Sequence, residues 1–148
     1  MEKGTRLHAA MEKMDFQKPF DEEKTLLGGM VADGSEENSR RIAHTEVSAI
    51  VARFGGKVYK EQSFVARSKD GGLVQGIIDL LAVNGDRALI IDYKLTSVKN
   101  IDSEKYKKQI NLYADAAENI LGVRVTEMYL YSFSSGIAKK VERIPSLL

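Results

Sequence analysis

The sequence predicts an α/β fold in which a central mixed β-sheet is flanked by helices, its elements running ααβββαββ. Three observations carry that prediction. Through residue 54 apolar side chains recur at helical spacing and then stop at Gly55-Gly56. Three runs rich in β-branched and aromatic residues follow, joined by Gly-bearing turns. The pattern turns helical again over 103–121 before two further strand-like runs.

Gly4 to Met14 reads as the first helix, with Thr5 near its N-cap and Leu7, Met11 and Met14 along one side. Residues 15–34 are less regular. Pro19 interrupts them, Glu22 to Met30 suits a short helix, and Gly28, Gly29 and Gly34 mark joints. A long helix spans Ser35 to Phe54, capped by Ser35 or Asp33, with Ile42, Val47, Ile50, Val51 and Phe54 on its apolar side. Strands are expected over Val58 to Arg67, Leu73 to Val83 and Ala88 to Lys94, the first two joined by Ser68-Lys69-Asp70-Gly71-Gly72. A helix from Ser103 to Leu121, a strand from Val123 to Phe133, a turn at Ser134-Ser135-Gly136 and a strand from Ile137 to Ile144 complete the chain.

Charge on the central hairpin is the informative departure from this pattern. Asn84-Gly85 favours a two-residue type I′ turn. If Asn84-Gly85 is the loop, Asp79 faces Ile90 and lies diagonal to Asp92; if Gly85-Asp86 is the loop, it faces Asp92 directly. Either register puts both carboxylates on one face, with Lys94 beside Asp92 by strand alternation. Same-face neighbours lie roughly 5 to 8 Å apart, so two acids can hold one cation between them. Ile78, Leu80, Ile91 and Tyr93 point the other way, leaving a hairpin apolar on both faces apart from three charges. A buried ion pair would leave one carboxylate uncompensated.

With 148 residues, the chain suits a single domain spanning 1–148. It has no cysteine, which excludes disulfides, iron–sulfur clusters and thiolate zinc sites, so any metal is held by oxygen and imidazole. Neither a signal-peptide pattern nor an 18-residue apolar run is present, and the expected setting is cytosolic, without a membrane. No Walker A pattern occurs, so the chain is not by itself an ATP-driven motor. Its +1 net charge is unevenly spread, with acids over 15–37 and Lys94, Lys99, Lys105, Lys107 and Lys108 over 94–108.

Five segments in register resemble the PD-(D/E)XK nuclease superfamily, and more narrowly the C-terminal nuclease domain of bacterial RecB- and AddA-type helicase-nucleases. They are Gly4-Thr5-Arg6-Leu7-His8, Lys60-Glu61-Gln62-Ser63-Phe64, Val74 to Leu80, Ile90-Ile91-Asp92-Tyr93-Lys94 and Tyr106 to Tyr113. The Gly-Thr-x-x-His opening and the Gln-Gly-Ile-Ile-Asp form make the AddA type the nearer one. Ile78 stands where the superfamily name has proline.

The resemblance implies a restriction-endonuclease-like fold and a bacterial Mg²⁺- or Mn²⁺-dependent DNA nuclease of exonuclease type. It further implies work in recombinational repair and end processing, on single-stranded ends, with a helicase motor and partner subunit. His8, Asp79, Asp92 and the Tyr93 carbonyl would hold the metal, and Lys94 would align water or stabilise phosphate charge. Glu61 either reaches the metal, positions water or is a plain strand-edge charge. Gln109 binds phosphate or braces Asp92 and Lys94. It shares a helix face with Tyr106 and Tyr113, which together with Lys105 and Lys108 would contact DNA. The same fold admits two other readings: a non-catalytic DNA-binding or docking module, and a structure-specific DNA or RNA endonuclease.

Overall fold

The computed structural model describes residues 3–26 and 34–145. Its elements are α1 (Lys3–Lys13), α2 (Glu22–Thr25), α3 (Gly34–Phe54), β1 (Lys57–Arg67), β2 (Leu73–Asn84), β3 (Arg87–Lys94), α4 (Val98–Ile101), α5 (Glu104–Leu121), β4 (Arg124–Ser132) and β5 (Ile137–Lys140). The strands form one sheet in sequence order, antiparallel except for the parallel pair β3–β4, which α4 and α5 connect. The sheet is therefore mixed, as the sequence predicts.

One core cluster packs Leu7, Met11 and Met14 of α1 and Val47, Val51 and Phe54 of α3 against Leu80, Leu89, Ile91 and Tyr93. A second packs Ile110, Ala114 and Ala117 of α5 against Ile78, Leu81, Ile90 and Leu130 on the opposite face. The central strands are thus apolar on both sides. Among the described residues no helix is long and apolar enough to cross a membrane.

Several local expectations are corrected. Helix α1 begins at Lys3, so Thr5 lies inside it. Of the expected short helix, the described residues Glu22–Thr25 are helical, capped by Asp21; residues 27–33, including Gly28, Gly29, Met30 and Asp33, lie outside the described set. Ile42 is 38% exposed because the buried stripe of α3 runs through Ala43, Val47, Ile50 and Phe54, one position away. The sequence pattern does not predict the short helix α4, whose four residues show too little periodicity to register.

The hairpin loop is Gly85-Asp86, since Asn84 pairs with Arg87. Positive φ occurs at Gly85 (64°) but not at Asp86, which fits a II′-class turn rather than type I′. Asn84 is withdrawn from the loop by another duty: its amide donates to the Phe54 carbonyl at 2.9 Å and ties the hairpin to the end of α3.

Strand β5 stops at Lys140 instead of Ile144: Val141 N–H still donates to the Met128 carbonyl of β4 at 2.9 Å, and residues 142–144 then leave the sheet to lie along α5. Buried Asn111 donates to the Glu142 carbonyl and accepts from Ile144 N–H, while Arg143 reaches Asp115 at 2.8 Å and Glu118 at 2.7 Å. Arg143→Ala removes an ionic partner of the buried Asp115 carboxylate and is expected to cost about 2 kcal/mol, reduced because Arg143 is partly exposed. Urea denaturation checks this; an unchanged midpoint would mean that burial of Val141 and the bonds of Asn111 hold the segment without Arg143.

Candidate active site

The site forms where the sheet comes apart. By register Asp79 lies opposite Asp92, yet the β2–β3 ladder ends one step earlier, at Leu80 and Ile91. Instead of a strand carbonyl, Asp79 Oδ2 accepts the Tyr93 N–H at 2.7 Å. On its other side β1 and β2 pair at Lys60–Leu80 and Gln62–Ile78 but not between Glu61 and Asp79. Glu61 holds φ 51°, the one positive φ outside glycine among the described residues. A left-handed glutamate within a strand costs roughly 1 kcal/mol or more and twists it locally. That distortion explains why Ile78 joins the α5-side core rather than sharing a face with Leu80.

Four of the expected residues meet in this opening. His8, from α1, places Nε2 3.0 Å from the Tyr93 carbonyl and 3.6 Å from Asp79 Oδ2. Because a carbonyl only accepts, Nε2 carries the proton in this arrangement. Tyr93 and Phe133 flank the imidazole at ring separations of 5.8 and 5.5 Å and fix its plane. Asp79 and Asp92 are 8% and 4% exposed.

Asp92 Oδ2 lies 3.0 Å from Lys94 Nζ, but the approach lacks hydrogen-bond geometry, so this buried oxygen has an ionic neighbour and no directed donor. Burial foremost, and then the negative charge of Asp79, push the Asp92 carboxyl up to about 7 against the pull of Lys94. Glu61 is also raised, by burial first and then by Asp79 and Glu12, with His8 opposing.

On the α5 side, Lys94 Nζ donates to Gln109 Oε1 at 2.7 Å and sits 4.8 Å from the centre of the Tyr106 ring. Tyr113 interacts with Gln109 and packs edge-on against Phe64 at 5.3 Å. Its hydroxyl is held above its ordinary range by burial, then by Asp92 and Asp79. Lys105 and Lys108 are exposed on the same helix, whereas Lys107 pairs with Asp102 at 2.9 Å.

As it stands, the cluster is not a closed ligand set. Among the described residues no group of three His, Asp or Glu side chains is arranged to hold a metal ion. His8 and the Tyr93 carbonyl, two of the expected ligands, are occupied with each other. The carboxylate pair nevertheless has the chemistry of a hard-cation site: two buried like charges, one oxygen without a donor, and a backbone carbonyl alongside.

A family model described as the PD-(D/E)XK nuclease superfamily matches residues 1–145. The chain belongs to this superfamily. Among similar proteins is the ATP-dependent helicase/nuclease A-subunit of Bacillus cereus (strain ATCC 10987 / NRS 248), 30% identical over 176 aligned positions that cover 95% of this chain and 14% of that protein. The protein of the same name from Clostridium perfringens (strain SM101 / Type A) is 32% identical over 88% of this chain and 13% of its own length. This superfamily member therefore spans about 14% of the length of the curated relatives it matches.

Two residues bordering this candidate site carry too weak a signal for the sequence to single them out. Glu12 lies one turn beyond His8 on α1 and adds negative charge near Glu61; its i, i+4 spacing from His8 is the available signal. Gly76 lets Tyr113 approach β2, since a Cβ there would lie 2.9 Å from Tyr113 Cε1 and 3.1 Å from Phe64. A glycine inside a strand often marks such an approach.

Proposed function

We propose that the chain is a divalent-cation-dependent deoxyribonuclease that hydrolyses phosphodiester bonds with Mg²⁺ or Mn²⁺. The observation that carries this is the pair of facing, buried carboxylates of Asp79 and Asp92, with Asp92 lacking a directed donor beside Lys94. Asp79, Asp92 and the Tyr93 carbonyl would hold the cation, joined by His8 once its Nε2 proton is released. The chemistry supplied by such a cation is polarisation of the phosphate and a lowered pKa for bound water.

The chain's own residues do the rest. Lys94 sets a fixed positive charge against the charge that builds on the phosphate oxygens. Asp79 accepts the Tyr93 N–H and so anchors the backbone at the residue that follows Asp92. Lys105 and Lys108 meet backbone phosphates, which makes binding insensitive to sequence and steeply dependent on salt. Gln109, Tyr113 and Glu61 border the same opening and complete the surface presented to a strand. No covalent enzyme intermediate is needed.

The printed name of the relatives, ATP-dependent helicase/nuclease, supports a setting in which a helicase motor works with the nuclease; within that setting the proposed substrate is a single-stranded DNA end and the proposed task is end processing in recombinational repair. Cleavage of end-labelled single- and double-stranded DNA in Mg²⁺, Mn²⁺ or EDTA tests the proposal. Metal-dependent cutting that falls at least about 100-fold in Lys94→Ala, and disappears in Asp92→Ala, is expected. DNA binding with no cutting, unchanged by either substitution, would instead make this a binding module.

A further inference from the structure

We infer that Tyr106 is a positioning residue for Lys94 rather than a platform for DNA bases. The inference rests on the nuclease reading of the site and deepens it. An ammonium has three donors and no acceptor, and its charge has to be held without being neutralised if it is to act on a phosphate. Lys94 has three neighbours: Asp92 Oδ2 at 3.0 Å, Gln109 Oε1 at 2.7 Å and the Tyr106 ring centre at 4.8 Å. Only the first carries charge.

That difference matters because Asp92 is the neighbour with other work. When its carboxylate serves a cation, Lys94 loses the one anionic partner it has among the described residues. The amide oxygen of Gln109 and the π face of Tyr106 then hold the ammonium, and neither cancels its charge. A carboxylate in either place would fix Lys94 equally well and remove its use.

The two supports are built together. Both project from α5, three residues apart on one face. The Tyr106 N–H is itself the donor that Ser103 caps, at 3.4 Å, so the ring leaves the backbone at the anchored first turn of the helix. Gln109 is fixed at its other end by Tyr113, which Gly76 admits against β2. With its amide oxygen on Lys94, Gln109 turns its NH₂ toward that hydroxyl.

The test compares Tyr106→Leu, Tyr106→Phe and Gln109→Glu by steady-state DNA cleavage in Mn²⁺. In parallel, spectra of protein carrying ¹³C-labelled lysine are recorded, with the Lys94 signal assigned by Lys94→Ala. Tyr106→Leu is expected to lower kcat about tenfold with KM little changed, and Tyr106→Phe to recover most of the loss. Gln109→Glu, which keeps the contact and adds a charge, also lowers kcat. The Lys94 methylene signals stand upfield in the parent and in Tyr106→Phe, and return to the exposed-lysine position in Tyr106→Leu.

A rise in KM at constant kcat in Tyr106→Leu would overturn the inference in favour of base stacking, as would Lys94 signals that stay in place. If the parent chain cuts no DNA, the nuclease reading fails, and the lysine spectra still decide whether Tyr106 holds Lys94.

Discussion

Asp92→Asn is expected to abolish cleavage and, at the same time, to make the metal-free protein more stable above neutral pH. The two effects have one cause. Asp92 is 4% exposed and close to Asp79, and its carboxyl is raised from 3.8 to about 7. Between about pH 4 and pH 7 the folded protein keeps a proton at Asp92 that the unfolded chain has already released. The stability linked to that proton is present below this window, declines across it and is absent above it. Asparagine resembles the protonated acid and does not titrate.

The difference in unfolding free energy between Asp92→Asn and the parent should therefore be small at pH 4 and reach the order of 4 kcal/mol at pH 8. Mn²⁺ should raise the melting temperature of the parent at pH 8 and leave Asp92→Asn nearly unmoved, since ligand linkage needs the site. A difference that is flat with pH would contradict the buried charge. An equal response of both proteins to Mn²⁺ would contradict the site.

Gly56→Ala is expected to be the most damaging single methyl group in the fold. Gly55 and Gly56 carry φ of 77° and 85°, turning the chain from α3 directly into β1. A Cβ on Gly56 would stand 2.2 Å from the Val83 carbonyl oxygen and 2.7 Å from its carbon. Both are backbone atoms of the β1–β2 ladder, where Lys57 pairs with Val83, so neither side can yield without parting the strands. Left-handed strain adds to the clash, and a loss above about 3 kcal/mol is expected. At Gly55 the neighbour is a side-chain atom, the Asn84 amide at 3.0 Å, which can shift at the expense of its bond to Phe54, and Gly55→Ala should cost about 1 to 2 kcal/mol. Urea midpoints of the two variants decide it; equal losses would show that backbone conformation, not the carbonyl, sets the cost.

The expected elements are where they are because periodicity survives into the structure. The long stripe of α5 and the apolar runs of β2 and β3 are strong signals, and both carboxylates fall on one face under either register. What the sequence could not carry is contact between distant segments. Nothing local announces that Asn84 will reach Phe54, or that Arg143 will bind Asp115 and draw residues 142–144 off the sheet. Glu61 gives no sign of its left-handed backbone, since glutamate is an ordinary residue at a strand edge. Nor can spacing alone distinguish a tyrosine facing DNA from one lying beneath Lys94. His8 shows the same limit: its helix is legible, but its hydrogen bond to the Tyr93 carbonyl depends on how α1 crosses β3.

The two-residue loop at Gly85-Asp86 has a consequence beyond closing a hairpin. It counts. With two residues between Asn84 and Arg87, positions 79 and 92 fall level and on one side of the sheet. A single inserted residue carried through the register would turn Asp92 toward α1 and α3 and leave Asp79 alone with Lys94 displaced. Gly85 is held by its positive φ, the identity of residue 86 is open to drift, and the number of loop residues is held by the proposed site at the far end of the strands.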